Sequence, residues 1–151
     1  LAGRLSRMNS QFEIIRHPYS LSSMATAQAA HVPGNRLAKT VLLEDQAGYV
    51  AAVIPSNHHL RLSDICEQTG RDLVLAHEDK IREVFKDCDL GAIPPVAMSY
   101  GMPTYVDECL MEEPEIWFEA GDHEELVHMQ RDQFMALMSD AQRGRFSHRM
   151  M

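Results

Sequence analysis

The sequence predicts a single α+β domain in which helices surround a mixed β-sheet or β-barrel. Two observations predict this fold class. Strand-like and helix-like patterns alternate irregularly along the chain, whereas a doubly wound parallel sheet requires a regular strand–helix repeat. The chain has 151 residues, 45% of them hydrophobic and 24% charged. Such a chain is typical of one soluble domain with one hydrophobic core.

In the first half of the chain, strand patterns surround one helix pattern. Residues 37–43 and 49–54 are apolar runs rich in β-branched residues, and the five residues between them include Gly48. This arrangement predicts a β-hairpin. A shorter strand is predicted for residues 12–17. The Ala-rich residues 22–30 predict a helix, since alanine is the best helix former.

Short helices and strands alternate in the second half. Helical spacing of apolar residues predicts helices near residues 78–85 and 132–138, with Phe134, Met135 and Met138 on one face of the second. The remaining predictions are a helix at 63–68 that ends at Gly70, strands at 73–76, 116–120 and 125–129, and a structured loop at 91–101.

The composition argues against several classes of protein. No apolar run approaches the ~20 residues that a membrane-spanning helix requires, and residues 1–10 lack the continuous apolar region of a signal peptide. Cys66, Cys88 and Cys109 are an odd number of cysteines at wide spacing. This argues against a disulfide framework and for a reducing compartment. We therefore expect a cytoplasmic protein.

The net charge of −8 is distributed unevenly. Residues 1–40 have a net charge of +4 and residues 143–151 have +3, which leaves −15 for the region between them. Basic ends on an acidic body could hold a phosphate backbone locally, while the body repels non-specific binding. Charged termini also occur for solubility alone, and the charge pattern by itself favours this simpler interpretation.

Lys39 is the candidate functional residue with the most informative position. In a strand over residues 37–43, alternation places Lys39 on the same face as Leu37, Val41 and Leu43. A lysine on an apolar face must be desolvated, reach an edge or find a partner. The pattern alone fits two interpretations equally well: a functional ammonium in a pocket, or an edge-strand lysine that prevents aggregation.

Two further motifs are weaker on their own. In Gly91-Ala92-Ile93-Pro94-Pro95, the glycine permits close backbone approach and the prolines stiffen the loop. Backbone N–H groups of this loop could bind a carbonyl or a phosphate. In Gly121-Asp122-His123, the imidazole could donate a hydrogen bond or exchange a proton near neutral pH. Most such loops are only connections, and a turn histidine without a function is the more common case.

The sequence contains no recognisable metal site or nucleophile motif. His123 and His128 resemble a zinc-protease pair, but a spacing of five residues places the two rings on different faces of a helix or a strand. His58 and His59 are adjacent and point apart, with no cysteine at ligand spacing. No Cys-x-x-Cys pair, phosphate-binding Gly-Lys loop or Gly-x-Ser-x-Gly elbow occurs. We therefore expect neither a metal nor another cofactor.

Four segments together resemble one known family. They are, in order, residues 26–30 (TAQAA), 37–43 (LAKTVLL), 91–95 (GAIPP) and 118–123 (FEAGDH). They resemble the YbaK and prolyl-tRNA-synthetase-associated editing domains over roughly residues 12–139. The resemblance implies the fold of that family, a mixed β-barrel with helices packed around it. It also implies its activity, the deacylation of mischarged tRNA, often tRNA for proline that carries alanine or cysteine.

The resemblance also implies roles for particular residues. The lysine of the family falls on Lys39, which would be the catalytic residue and would hold the ester carbonyl oxygen or the terminal phosphate. Its Gly-x-x-x-Pro pocket loop falls on Gly91 to Pro95, and a pocket histidine of relatives falls on His123. The expected substrate-binding residues are Thr26, Gly91, Ala92, Ile93, Pro94, Pro95, Gly121 and His123. An aminoacyl ester is already activated, so orientation and charge stabilisation can suffice, with water or a ribose hydroxyl of the substrate as the attacking group.

The expected partner is the acceptor end of an aminoacyl-tRNA, with transient contact to an aminoacyl-tRNA synthetase and none to a membrane. The candidate contacts to tRNA phosphates are Arg36, Arg143, Arg145 and Arg149. We expect the editing domain to span residues 1–139, followed by a basic C-terminal tail at 140–151. Two alternatives are a catalytically inert tRNA- or nucleotide-binding module of the same fold and a cysteine-dependent hydrolase. No motif links a histidine to a cysteine, which weakens the second.

Overall fold

The computed structural model describes the backbone of residues 13–16, 32–76, 102–119 and 125–149. The side chains of residues 13–16 and of residue 125 lie outside this description. Four predicted segments also lie outside the described residues: the helix at 22–30, the helix at 78–85, the loop at 91–101 and the turn at Gly121-Asp122.

The described ranges contain ten strands, three α-helices and one 3-10 turn at Gly34–Arg36. The strands are β1 (Glu13–Arg16), β2 (Leu37–Asp45), β3 (Gly48–Pro55), β4 (His58–Leu60), β5 (Val74–Leu75), β6 (Thr104–Asp107), β7 (Glu115–Glu119), β8 (Glu125–Gln130), β9 (Gln142–Gly144) and β10 (Ser147–Arg149). The helices are α1 (Leu62–Thr69), α2 (Glu108–Met111) and α3 (Arg131–Leu137).

Eight of these strands form one mixed sheet, in which β1, β8, β7, β2, β3, β6 and β9 lie side by side in that order. β5 pairs with β2 outside this series, and β4 and β10 form a separate two-stranded ribbon. The β2–β7, β3–β6 and β6–β9 pairs are parallel, and the others are antiparallel. The predicted α+β class with a mixed sheet is confirmed. As far as the strands are described, the sheet is open and not a closed barrel.

β2 and β3 form the predicted hairpin, but its turn is tighter than expected. Pairing continues to Asp45 and Gly48, so two residues form the turn instead of five. The Asp45 carboxylate accepts hydrogen bonds from the N–H groups of Ala47 (2.8 Å) and Gly48 (3.1 Å), and Gly48 has a φ of +137°, which favours glycine. Arg71 donates to both oxygens of Asp45, and this hydrogen bonding lowers the pKa of Asp45 to about 2. Asp45 and Gly48, which were expected to lie in the loop, therefore belong to the two strands.

The other edge of β2 is shared between two strands. β7 pairs with Leu37 and Ala38 at the start of β2, and β5 pairs with Leu43 and Glu44 near its end. Of the strands that the structure describes, none pairs with the edge between these two sites. Lys39 is the first residue beyond the β7 pairing, so the sheet forks at the position of the candidate lysine.

Two apolar clusters lie on opposite faces of the β2–β3 hairpin. The first contains Ala38 and Val53 from the hairpin together with residues of α2, α3, β7 and β8. The second contains Leu43 and Ile54 from the hairpin together with residues of α1 and the C-terminal segment. Side chains alternate between the two faces of a strand, so the hairpin contributes residues to both of these clusters.

The two longer helices end and pack as their sequences predict. α1 ends at Gly70, which adopts the left-handed conformation with a φ of +68° that favours glycine at a helix C-terminus. In α3 and just after it, Phe134, Leu137 and Met138 are buried in the first cluster, and Met135 packs against it. The predicted apolar face of this helix is confirmed. None of the helices in the described ranges is long and apolar enough to cross a membrane.

Residues 142–149, which we expected to lie in a basic tail, are folded onto the body of the domain. β9 pairs with β6, and β10 pairs with β4. Between these strands, the side chain of Phe146 is fully buried in the second cluster. The fully buried carboxylate of Asp107 accepts hydrogen bonds from the N–H of Phe146 (3.1 Å) and the hydroxyl of Ser147 (2.8 Å). These residues are therefore integrated into the fold, and the division of the chain at residue 139 stays a prediction.

We expect Phe146→Ala to lower the free energy of unfolding by about 3–5 kcal/mol, because the substitution empties a fully buried site. The measurement is equilibrium unfolding in urea. Arg143→Ala is the matched control on the same segment. Arg143 is exposed, so its loss should change stability by no more than about 0.5 kcal/mol. Equal, small effects of the two substitutions would show that the C-terminal segment does not anchor the domain.

Candidate active site

Lys39 lies on the apolar face of β2 that the alternation predicts. Leu37 and Leu43 on this face are fully buried, and so is Ile54, which pairs with Lys39 across the hairpin. Lys39 itself is half-buried. Burial lowers the pKa of its ammonium below the ordinary value of 10.5, because desolvation disfavours the charged form. Lys39 is therefore partly withdrawn from water on this face.

The ammonium of Lys39 is held by the turn that follows β3. Its Nζ donates to the carbonyl oxygen of Ser56 at 3.3 Å. Ser56 is fully buried and fixed in turn, since its N–H donates to Leu37 O (2.8 Å) and its Oγ donates to Gly34 O (2.9 Å). A Cβ on Gly34 would lie 2.9 Å from the Cβ of Asn57, so this close approach requires glycine. An ammonium has three donors, and the one contact to Ser56 leaves donors for a substrate oxygen.

A chain of three buried or partly buried polar side chains lies beside this turn. The Nδ1 of His58 is 2.9 Å from Ser147 Oγ, which is 2.8 Å from Asp107 Oδ2. Burial is the main cause that lowers the pKa of His58. The carboxylate of Asp107 opposes this shift, while the positive charge of Lys39 is among those that add to it. His58 and Lys39 are therefore within electrostatic reach of each other.

The sequence did not predict this hydrogen-bonded series of side chains, because His58, Ser147 and Asp107 come from distant segments. His58 was considered only as half of a histidine pair, and β4, β6 and β10 were not predicted. Ser147 lies 89 residues after His58 and 40 after Asp107, so no local spacing connects the three. The usable signal was Asp107 itself, an acid at the end of the short β-branched and aromatic run Thr104 to Val106, where a buried carboxylate would require hydrogen-bond partners.

The four candidate tRNA-binding arginines fall into two groups. Arg36 forms ion pairs with Glu113 (3.2 Å) and Glu115 (3.8 Å). Arg145 pairs in the same way with Glu108 (2.9 Å) and Glu112 (3.4 Å). Arg143 and Arg149 are exposed, and the ion pairs found among the described residues involve neither of them. Arg149 also contributes to lowering the pKa of His58, which places its charge near the candidate site.

The remaining predicted site residues, Thr26, Gly91, Ala92, Ile93, Pro94, Pro95, Gly121 and His123, lie outside the described residues. Their roles stay predictions. A cleft at the far end of β2 is lined by Glu44, Asp45, Gln46, Asp72 and Val74, and its carboxylates would repel a phosphate. Within the described part of the chain, no group of three or more His, Cys, Asp and Glu side chains is placed to hold a metal ion.

Solved structures with the same fold extend over nearly the whole chain. A "putative trans-editing enzyme for prolyl tRNA synthetase" superposes with a TM-score of 0.84 at 23% identity and covers 97% of this chain and 93% of its own. A hypothetical protein superposes with a TM-score of 0.86 at 19% identity and covers 97% of this chain and 98% of its own. At these identities the likeness establishes the fold alone. No curated protein matches this chain in sequence.

The family assignment comes from the sequence itself. The model of the aminoacyl-tRNA editing domain matches residues 17–137. This range includes the β2–β3 hairpin with Lys39, and also residues 17–31, 77–101 and 120–124, which lie outside the described residues. This match spans most of the chain and agrees with the resemblance of the four segments. The chain belongs to the aminoacyl-tRNA editing domain family.

Proposed function

We propose that this protein hydrolyses the ester bond of mischarged aminoacyl-tRNA in trans. The observation that most supports the proposal is the half-buried Lys39, held at the fork of the sheet with its pKa lowered by burial. The membership of the chain in the aminoacyl-tRNA editing domain family defines the class of substrate. A protein of this kind acts in the cytoplasm, where charged tRNA is found.

The chemistry needs little more than charge placed at one atom. Attack on the ester carbonyl moves negative charge onto its oxygen, and a cation fixed in a water-poor pocket stabilises that charge more than it would in bulk water. Lys39 supplies the cation. Backbone N–H groups of the loop Gly91 to Pro95 complete the oxyanion site, and Thr26, Gly121 and His123 shape the pocket for the amino acid. Water, or a hydroxyl of the terminal ribose, is the attacking group.

The substrate is proposed to be tRNA for proline that carries alanine, cysteine or a similarly small residue. The likeness to the structure described as a "putative trans-editing enzyme for prolyl tRNA synthetase" supports this choice, as does the resemblance of the sequence motifs. Transient contact with an aminoacyl-tRNA synthetase would deliver the substrate. The first experiment is a deacylation assay with tRNA for proline charged with alanine, cysteine or proline. Release of alanine or cysteine with proline left in place supports the proposal, and no release from any mischarged tRNA favours the inert binding module.

Lys39→Ala should reduce deacylation by about 10²-fold or more, which is the scale of losing one oxyanion donor. Lys39→Arg should restore little, because a planar guanidinium does not replace a compact ammonium. Single-turnover rates on mischarged tRNA provide the measurement. A folded Lys39→Ala protein with nearly the wild-type rate would overturn the proposed mechanism.

Lys39→Met separates the functional from the structural interpretation of this lysine. The folded-state pKa of Lys39 lies below 10.5, so the unfolded chain binds the proton more tightly. The stability of the wild type should therefore rise with pH between that folded-state pKa and 10.5. The methionine variant lacks this rise, and the lost hydrogen bond to Ser56 should cost about 0.5–1.5 kcal/mol at most. Urea unfolding at several pH values provides the check. An unfolded methionine variant would make Lys39 a structural residue.

Arg143 and Arg149 are proposed to contact tRNA phosphates, because they are exposed and their guanidinium groups are not engaged in ion pairs with described residues. Each lost contact should lower the log–log slope of affinity against salt by about 0.7–0.9. Arg145→Gln is the matched comparison, since Arg145 is held by Glu108 and Glu112. Point substitutions are required, because a truncation would remove the buried Phe146. Equal slopes for all variants would mean that this segment does not contact tRNA.

The cysteines are proposed to take no part in the reaction. Burial, together with a hydrogen bond to Asp107, raises the pKa of Cys109 to about 11, so this thiol stays protonated at neutral pH, whereas the nucleophile is the thiolate. The triple variant Cys66→Ser, Cys88→Ser and Cys109→Ser should retain most of the deacylation rate. A folded triple variant without turnover would revive the cysteine-dependent hydrolase.

A further inference from the structure

The polar chain of Asp107, Ser147 and His58 fixes the proton of the histidine ring. Asp107 is fully buried and accepts two further hydrogen bonds, from the N–H groups of Cys109 (2.9 Å) and Phe146 (3.1 Å). A carboxylate has no proton to donate, so the hydroxyl of Ser147 donates to Asp107 at 2.8 Å. The hydroxyl has one proton and must therefore accept at its contact with His58 Nδ1 (2.9 Å). His58 consequently carries its proton on Nδ1, and Nε2 of the neutral ring has a free lone pair.

His58 and Lys39 border the same cluster. Nδ1 of His58 is directed at Ser147, and the geometry of an imidazole ring directs Nε2 away from it. His58 begins β4 two residues after Ser56, whose carbonyl oxygen accepts from Lys39 Nζ. Leu60, on the same face of β4 as His58, packs against the second cluster, which also contains Ile54, the cross-strand neighbour of Lys39. His58 as a residue is 8% exposed.

We propose that His58 is a second catalytic residue of this site and that its Nε2 is the general base for ester hydrolysis. The inference rests on the proposed function and adds to it the group that accepts the proton. Asp107 and Ser147 are positioning residues, because they act only through the orientation and the tautomer of His58.

The proton balance closes with water as the attacking group. The water oxygen forms a bond to the ester carbonyl carbon, the carbonyl π electrons move to its oxygen beside Lys39, and one water proton passes to Nε2 of His58. The intermediate then collapses: the bond between carbon and ribose oxygen breaks, and the imidazolium returns the proton to that ribose oxygen. The products are the free amino acid and tRNA with its terminal hydroxyl restored. Neither an oxidant nor a metal ion enters the balance.

The charges around His58 suit a base that works at neutral pH. Burial and the positive charges of His148, Lys39 and Arg149 lower its pKa, while Asp107 raises it, and the net shift is downward from 6.5. The ring is therefore neutral at pH 7 and able to accept a proton. While the imidazolium exists, the carboxylate of Asp107 compensates its charge through Ser147, as an oriented carboxylate does in other histidine bases.

The test compares pH–rate profiles of deacylation for wild type, His58→Asn and the control His59→Asn. The asparagine Nδ2 can still donate to Ser147, so the fold is preserved while the base is lost. His59 is adjacent to His58, exposed, and on the opposite face of β4. Any titration of the substrate affects the rates of both variants equally, so the His59→Asn profile is the control for it. We expect His58→Asn to lose about 10²–10⁴-fold in rate and to lose the fall in rate below pH 6.5 that wild type and His59→Asn share. An unchanged profile for a folded His58→Asn protein overturns the proposal.

A second measurement does not depend on activity. Nitrogen-15 NMR of the wild-type imidazoles should show His58 with a proton on Nδ1, none on Nε2, and a titration midpoint below 6.5. Ser147→Ala should change the tautomer equilibrium of His58 and reduce the rate by less than His58→Asn does. A proton on Nε2 in wild type overturns the inference even if deacylation is strong. If wild type deacylates no mischarged tRNA, the proposed function fails first, and the role of His58 as its base fails with it.

Discussion

The pairing of β2 with β3 is the interaction on which the rest of the described structure depends. It runs from Ala38 opposite Pro55 to Asp45 opposite Gly48, and its two faces supply both apolar clusters. Because β2 is longer than either neighbour on its other edge, β7 and β5 each cover only one end of it. A lysine placed between them is flanked by buried apolar side chains, yet its ammonium still reaches the turn at the end of β3. The half-burial of Lys39 thus follows from strand lengths.

What the sequence could predict depended on how local the cause was. The face of Lys39 follows from alternation within one strand, and the end of α1 follows from Gly70 alone, so both were predicted. The two-residue turn of the hairpin was not, because Arg71 holds Asp45 from 26 positions away. Strands β4, β6, β9 and β10 have at most four residues each and are stabilised by distant partners. The chain of Asp107, Ser147 and His58 escaped prediction for the same reason.

Charge counts along the sequence were a poor guide to which cations are available. The C-terminal residues 143–151 have three arginines and no acid, which suggested a solvated basic tail. In the fold, the guanidinium of Arg145 reaches Glu108 and Glu112 of the acidic body, and Arg36 reaches Glu113 in the same way. The exposed Arg145 pairs contribute little to stability, but both sets of pairs reduce the charge that a phosphate would meet. The net +3 of the segment therefore overstates the charge it can offer to a nucleic acid.

Asp107 raises the question of why a full charge is buried at this position. Burying a carboxylate is costly unless several donors compensate it, and the donors to Asp107 include Cys109 N, Phe146 N and Ser147 Oγ. A neutral asparagine would not replace it, because Cys109 N donates to Oδ1 and Phe146 N donates to Oδ2, whereas an amide has a single acceptor oxygen. The negative charge would stabilise an imidazolium that forms transiently on His58, because Ser147 Oγ connects Asp107 to His58 Nδ1 through two hydrogen bonds. If His58 is the base that we propose, the carboxylate that fixes the C-terminal strand also orients that histidine, and the stability of β10 and the chemistry of the site depend on the same residue.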